Sequence, residues 1–260
     1  MSINSYLEDY ASNLVLSTDE KNSINTSIST LESRLESYFG YEIEEKFKFG
    51  SYTRGTILPR KVDENSDVDY MIVFDNYNNY KPQTFLDKLK RFAETKYSTS
   101  EIHQSYPTIV LELNHIKFEL VPAYKQYGVY YIPNGDNWIS TYPNEFNNDL
   151  VDSNIKNDYK IKPIVRLMKY WNVNSNHRDL TSYEIEKRIA SDMKYWFIFS
   201  KSYLSYTKNA FNTLKTMSSN YFVKARIDNA LNIINNAVKY EEDGKPIIAL
   251  SEIKKIFPEV

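Results

Sequence analysis

The sequence predicts an α+β half followed by an α-helical half. Three apolar segments of strand length lie in the first half, at residues 68–74, 108–113 and 116–121. A long amphipathic helical pattern precedes them, and a second helical pattern runs from Lys160 nearly to the end of the sequence. Strands that share one half with a long helix, followed by helices alone, indicate two domains, over residues 1–155 and 156–260.

The first half opens with a helix that carries its own start and stop signals. Ser17 and Glu20 have the spacing of a capping box. Apolar residues then recur at helical spacing from Ile24 to Phe39, and Gly40 is a typical stop. The elements predicted to follow it are a strand over 45–49, the strand 68–74 and a helix capped by Thr84.

The next two apolar segments are separated only by Asn114-His115, which predicts a β-hairpin. This register places Glu112 opposite Lys117 and Val110 opposite Glu119. We expect Glu112 and Lys117 to form a cross-strand ion pair. Glu119 lies within an apolar strand and has no obvious local partner, so a shared site is the simplest account of its charge.

Residues 124–149 are rich in Tyr, Asn, Gly and Pro and are predicted to form a long surface loop. Beyond it, Pro163 suits the first turn of a helix. Three basic residues of that helix are spaced to share one face: Lys162, Arg166 and Lys169. Either a solvated basic face or an anion-binding face explains this pattern.

Composition limits the classes of function. The chain has 260 residues, 32 basic and 34 acidic, with a net charge of −2, which argues against binding of long nucleic acids. It has no cysteine, which excludes disulfides and thiolate metal sites. No apolar run reaches membrane-spanning length and the N-terminal residues lack a secretion signal, so the cytoplasm is the expected location and no membrane partner is expected.

The candidate site centres on Asp67 and Asp69. Successive strand residues point to opposite faces, so these two carboxylates share a face. Neighbouring carboxylates repel each other, and a hard divalent cation such as Mg²⁺ would relieve that repulsion. Gly50-Ser51 ends the preceding strand, where a backbone without Cβ and a hydroxyl could meet a phosphate. Glu119 is the expected third carboxylate.

These motifs together resemble the DNA polymerase β-like nucleotidyltransferases, and among them the cGAS/DncV-like enzymes (CD-NTases). The resemblance covers most of the chain and is carried, after the long first helix, by GSYTRGT, SDVDYMIVF, FELVPAY, IKPIVRLMKYWN, TSYEIEK and EEDGKPIIALSEIKKIFPE. It implies a mixed sheet with flanking helices, and a C-terminal helical domain that closes over a nucleotide cleft. One residue departs from the family pattern, because the third carboxylate is commonly Asp and here it is Glu119.

The resemblance also implies a role for each residue of the site. Gly50 and Ser51 would hold the triphosphate of a nucleotide. Asp67 and Asp69 would bind two Mg²⁺ or Mn²⁺ ions, and Glu119 would help to bind one of them and activate the attacking ribose hydroxyl. In the helical half, Lys169 and Ser182 would contact phosphate, and Tyr183 would stack on a base. Thr181 and Glu184, at capping-box spacing, place the last two in a first helical turn.

The implied activity is the condensation of nucleoside triphosphates, ATP among them, into a cyclic oligonucleotide second messenger with release of pyrophosphate. In the family such signals serve anti-phage defence, and a regulatory protein partner is compatible with that role. Three alternatives share the same core. They are an RNA- or tRNA-tailing enzyme, a toxin-type nucleotidyltransferase that modifies a macromolecule, and a binding-only member without activity.

Overall fold

The computed structural model describes residues 1–76 and 78–258, and its contacts divide the chain into two units. The sheet unit comprises Leu16–Arg60 and Glu64–Glu145. The helical unit comprises Met1–Val15, Lys61–Asp63 and the chain from Phe146 onward. Glu259, within the last of the family-like motifs, lies outside the described residues.

The sheet unit is a mixed sheet flanked by helices, as predicted. Its elements are α2 (Thr18–Phe39), β1 (Ile43–Phe49), α3 (Gly50–Arg54), β2 (Asp67–Phe74), α4 (Pro82–Lys96), β3 (Glu101–Ser105), β4 (Thr108–Glu112), β5 (Lys117–Gln126), β6 (Val129–Asn134) and β7 (Asn137–Thr141). The strand order is β1-β2-β5-β4-β3, with β6 beside β5 and β7 beside β6. β2 and β5 run parallel, and the other pairs are antiparallel.

The two faces of β2 have different surroundings. Val68, Tyr70 and Ile72 are fully buried in a core with apolar residues of α2 and α4, such as Leu31 and Phe92. The alternate residues of β2 are on the opposite face, first Asp67 and Asp69 and then Met71 and Val73, which belong to a second, smaller apolar cluster. The first core fixes the register of the sheet, and that register decides where the two carboxylates point.

Two expectations about the sheet unit are wrong. Residues 124–149 do not form a long loop, because β5 continues to Gln126 and a hairpin of β6 and β7 follows. Trp138 holds this hairpin to the unit by packing against Phe85 and Tyr124. The helix predicted at Thr84 begins earlier, at Pro82 with Lys81 as its cap, because proline suits the first helical turn.

The helical unit contains residues from both ends of the chain. Its elements are α1 (Ile3–Asn13), α5 (Asn147–Lys156), α6 (Ile161–Asn174), α7 (Ser182–Asp192), α8 (Tyr203–Met217), α9 (Tyr221–Glu242) and α10 (Pro246–Ile253). The hydroxyls of Tyr6 and Tyr10 donate hydrogen bonds to the carbonyls of Phe257 and Pro258. These bonds and buried packing place α1 with the C-terminal helices, so the contacts divide the chain differently from the predicted limits of 1–155 and 156–260.

Within residues 1–76 and 78–258, every helix is too short or too polar to cross a membrane.

Candidate active site

The sheet brings the three predicted carboxylates to adjacent positions. In the parallel pair of β2 and β5, Asp69 lies opposite Glu119 and Asp67 lies opposite Lys117. The predicted hairpin register is confirmed, with Val110 opposite Glu119. All three carboxylate residues are half-buried on one face of the sheet. Sequence alone did not reveal that β2 and β5 are neighbours, and that pairing is what assembles the set.

Gly50 lies directly against this set. Its backbone has φ +73°, and a Cβ added there would lie 1.8 Å from Oδ2 of Asp69. A residue with a side chain would therefore push Asp69 aside as well as adopt an unfavourable backbone conformation. Ser51 follows in α3, a single helical turn that starts where β1 ends. The predicted Gly50-Ser51 segment and the carboxylates are thus close neighbours.

Lys117 is a member of the site that the sequence interpretation missed. Its Nζ lies 3.4 Å from Oδ2 of Asp67 and 3.4 Å from Oε1 of Glu119. Burial alone would lower the pKa of Lys117, but the charges of Asp67 and Glu119 outweigh that effect and raise its pKa. The signal in the sequence was the spacing of two residues between Lys117 and Glu119, which puts both side chains on one face.

The expected ion pair between Glu112 and Lys117 is therefore wrong. Glu112 binds Arg60 instead, with 2.6 Å between Oε1 and Nη2. Lys117 has β4 on one side and β2 on the other. On the side of β2 it meets Asp67, and Glu119 lies next to it along β5. These two carboxylates attract the ammonium of Lys117 more strongly than Glu112 does, because Glu112 is already paired with Arg60.

The donor atoms of the site suit a hard divalent cation, since Asp67, Asp69 and Glu119 offer only carboxylate oxygens. Because Gly50 has no Cβ, its backbone lies close to the carboxylate of Asp69. As the side chains stand, however, no three Asp, Glu, His or Cys residues in the described part of the chain are grouped to hold a metal ion. The ammonium of Lys117 lies between the carboxylates of Asp67 and Glu119. A metal ion would therefore require this side chain to move.

In the helical unit, Lys169 forms a buried ion pair. Its Nζ is 2.5 Å from Oε1 of Glu186, and the two side chains are 5% and 0% exposed. Arg166, one turn earlier on α6, is also buried, and burial lowers its pKa. The pKa of Lys162 is lowered by burial and then by the charge of Arg166. A solvated basic face is thus excluded for Arg166 and Lys169, and Glu186 is a partner that the sequence interpretation missed.

Ser182 and Tyr183 occupy the first turn of α7, as predicted. Thr181 and Glu184 form the full capping box, with the Thr181 hydroxyl accepting from the Glu184 N–H and the Glu184 carboxylate accepting from the Thr181 N–H. Ser182 is exposed, and Tyr183 is 46% exposed with its ring edge-on to Phe146. Of the three side chains proposed to meet a nucleotide from this unit, Ser182 and Tyr183 are exposed and Lys169 is buried.

Comparison with known protein families identifies the chain. Residues 1–154, more than half of it, match the model of the Second Messenger Oligonucleotide or Dinucleotide Synthetase (SMODS) domain. The chain belongs to this family. It is a cGAS/DncV-like nucleotidyltransferase, an enzyme of the class that makes cyclic oligonucleotides, and the resemblance inferred from the sequence is confirmed.

Individual relatives agree with the SMODS assignment. A probable cyclic nucleotide synthase of Bacillus cereus (strain VD146) is 26% identical over 84% of this chain and 82% of its own length. A cyclic AMP-AMP-AMP synthase of an Acinetobacter species is 26% identical over 72% of this chain, which spans only 58% of that protein. The solved structure of Escherichia coli MS115-1 CdnC with ATP has a TM-score of 0.76 at 14% identity, covering 100% of this chain and 98% of that one. This last likeness shows the fold.

Proposed function

We propose that this SMODS protein condenses nucleoside triphosphates at the carboxylate set of β2 and β5. The observation that carries the proposal is the common face of Asp67, Asp69 and Glu119 beside Gly50. Three carboxylates on one half-buried face are costly to bring together, and catalysis of phosphoryl transfer is a reason to do so.

Asp67, Asp69 and Glu119 would hold two divalent cations, Mg²⁺ or Mn²⁺. When bound, these ions would neutralise the phosphates and stabilise the attacking and leaving oxygens of an in-line displacement. Glu119 sits opposite Asp69 in the ladder and has a longer side chain than the Asp common in the family. Its carboxylate would bind a cation from the neighbouring strand, and the same group would accept the proton of an attacking ribose hydroxyl.

Gly50 and Ser51 would position the triphosphate. Because Gly50 has no side chain, its backbone lies against the Asp69 carboxylate, and a phosphate bound beside this segment would be next to the cations that Asp69 would hold. The Ser51 hydroxyl lies in the adjoining turn and would donate to a phosphate oxygen. Lys169, Ser182 and Tyr183 would contact phosphate and base from the helical unit, as the family resemblance implies.

The substrates would include ATP, and the product would be a cyclic oligonucleotide that contains adenine. This rests on the structural relative bound to ATP and on the relative named as a cyclic AMP-AMP-AMP synthase. Its biological role would be a signal in anti-phage defence in the cytoplasm, with a regulatory protein partner.

The direct test is incubation of the purified full chain with labelled ribonucleotides and Mg²⁺ or Mn²⁺. Phosphatase treatment, chromatography and mass spectrometry would follow. We expect a phosphatase-resistant cyclic product from the wild type and none from the Asp67→Asn/Asp69→Asn double variant, with nucleotide binding largely retained. Asp136→Asn, in the exposed turn after β6, is the matched control and should keep full activity.

Other outcomes separate the alternatives. Equal product from the double variant would contradict the assignment of the carboxylates. Label transferred to added tRNA or protein instead would favour a tailing or toxin-type enzyme. Nucleotide binding without any labelled product would favour a binding-only protein or a missing activator.

A further inference from the structure

Lys117 lies between two members of the carboxylate set. Its Nζ is 3.4 Å from a carboxylate oxygen of Asp67 and 3.4 Å from one of Glu119. Its side chain is 17% exposed, so water screens the two contacts only in part. The ammonium therefore offsets the repulsion between carboxylates that the sheet holds on neighbouring strands.

The same oxygens are the ones a divalent cation needs. Mg²⁺ binds oxygen at about 2.0–2.1 Å and requires near-octahedral geometry, so an ammonium between the carboxylates cannot share that space. Lysine is attached through a flexible four-carbon chain and can withdraw without movement of the strand. Glu112 lies on β4, directly opposite Lys117, and is paired with Arg60. Its carboxylate is one toward which the ammonium can turn.

We propose that Lys117 is an internal counter-ion that competes with the divalent cation for Asp67 and Glu119. It stabilises the carboxylate set before metal binds, and it raises the metal concentration that the site requires. The inference rests on the metal site of the proposed function. Lys117 acts here through the carboxylates and is a positioning residue.

The experiment uses the full chain and Mn²⁺ alone as the probe. Mn²⁺ affinity would be measured by calorimetry and by electron paramagnetic resonance, and thermal unfolding with EDTA or with Mg²⁺. Lys117→Gln should bind Mn²⁺ about tenfold more tightly, a change of about 1.4 kcal/mol. It should also unfold at a lower temperature in EDTA and gain more from Mg²⁺ than the wild type does.

Two variants serve as controls. Lys125→Gln removes a lysine from the same strand that pairs with Glu45 at 2.6 Å, outside the carboxylate set, and should leave Mn²⁺ affinity unchanged. Lys117→Arg keeps the positive charge and should retain an affinity close to that of the wild type. If the glutamine variant folds poorly, Lys117→Met, which also removes the charge, takes its place and should likewise bind Mn²⁺ about tenfold more tightly than the wild type.

The inference and the proposed metal site fail in different ways. If Mn²⁺ binds the wild type and is lost in Asp67→Asn/Asp69→Asn, but Lys117→Gln binds it equally or more weakly, the counter-ion inference alone is overturned. If Mn²⁺ binding to the wild type does not depend on Asp67 and Asp69, the metal site is overturned, and the inference with it.

Discussion

At Gly50, two constraints on the residue coincide, a backbone φ of +73° and a Cβ position 1.8 Å from Oδ2 of Asp69. We expect Gly50→Ala to lose about 1–2 kcal/mol of unfolding free energy from the backbone conformation alone. Displacement of Asp69 should in addition abolish most of the synthase activity. Chemical denaturation and the labelled-nucleotide assay would measure the two effects.

Gly128 provides the control, since it has φ +81° but no atom within 4 Å of an added Cβ. Gly128→Ala should show a similar loss of stability and keep its activity. Equal activity in the two variants would mean that the contact between Gly50 and Asp69 has no catalytic importance.

Substitutions in the ion pair of Lys169 with Glu186 can distinguish a structural role of Lys169 from a role in nucleotide binding. We expect Glu186→Leu to destabilise the protein by about 3–5 kcal/mol, because a buried ammonium loses the carboxylate at 2.5 Å. The double variant Lys169→Met/Glu186→Leu replaces the charges with apolar groups and should recover most of that loss. Its nucleotide affinity should stay low, because Lys169 is the proposed triphosphate contact. Denaturation and nucleotide titration would measure both.

A double variant that recovers nucleotide affinity together with stability would contradict the triphosphate contact. Lys169 would then act only to hold α6 against α7.

For single residues, the sequence interpretation missed contacts between side chains that are far apart in the sequence. The alternation around Asp67, Asp69 and Glu119 fixed which residues share a face, and that part was predictable. The pairing of Lys117 with Asp67 was not, because it needs the parallel contact of β2 with β5. Glu186 was likewise not identified, since a helical pattern marks a residue as inward-facing without naming what it meets.

At the scale of elements, α7 depends on its capping box. Thr181→Ala should cost about 1 kcal/mol of stability, because the Glu184 N–H loses its acceptor. Fraying of the first turn would also displace Ser182 and Tyr183, so the KM for nucleotide should rise with little change in kcat. Denaturation and steady-state kinetics would measure these effects.

The same substitution in α2 is the control for α7. Ser17 accepts from the Glu20 N–H in an equivalent capping box, so Ser17→Ala should cost a similar amount of stability. Its KM should stay unchanged, and a rise equal to that of Thr181→Ala would point to a general loss of folding instead.

Capping boxes and the hairpin at Asn114-His115 were predictable because each lies within a few residues. The β6–β7 hairpin was missed although its two turn residues, Gly135-Asp136, are a typical hairpin signal. Its strands have irregular burial, with Pro133 in β6, and no clear alternation marked them as strands. Trp138 stabilises the hairpin through Phe85, more than 50 residues earlier, and a local pattern cannot contain that contact.

For the whole molecule, the place of α1 in the sequence does not indicate where it packs. Its residues precede the sheet unit in sequence but pack in the helical unit, where Tyr6 and Tyr10 bond to Phe257 and Pro258. The division into an α+β part and a helical part was predictable from periodicity. Which part includes the first helix depends on contacts more than 240 residues apart.

Substitution of two buried leucines would test the assignment of α1 to the helical unit. Leu7 in α1 and Leu31 in α2 are each 0% exposed, and truncation of either to Ala should cost about 2–5 kcal/mol. Hydrogen exchange measured by mass spectrometry should show where the loss falls. Leu7→Ala should accelerate exchange first in α6, α8 and α10, whereas Leu31→Ala should do so first in β2, β5 and α4. If Leu7→Ala instead accelerated the strands first, α1 would have to be reassigned to the sheet unit, as its place in the sequence suggests.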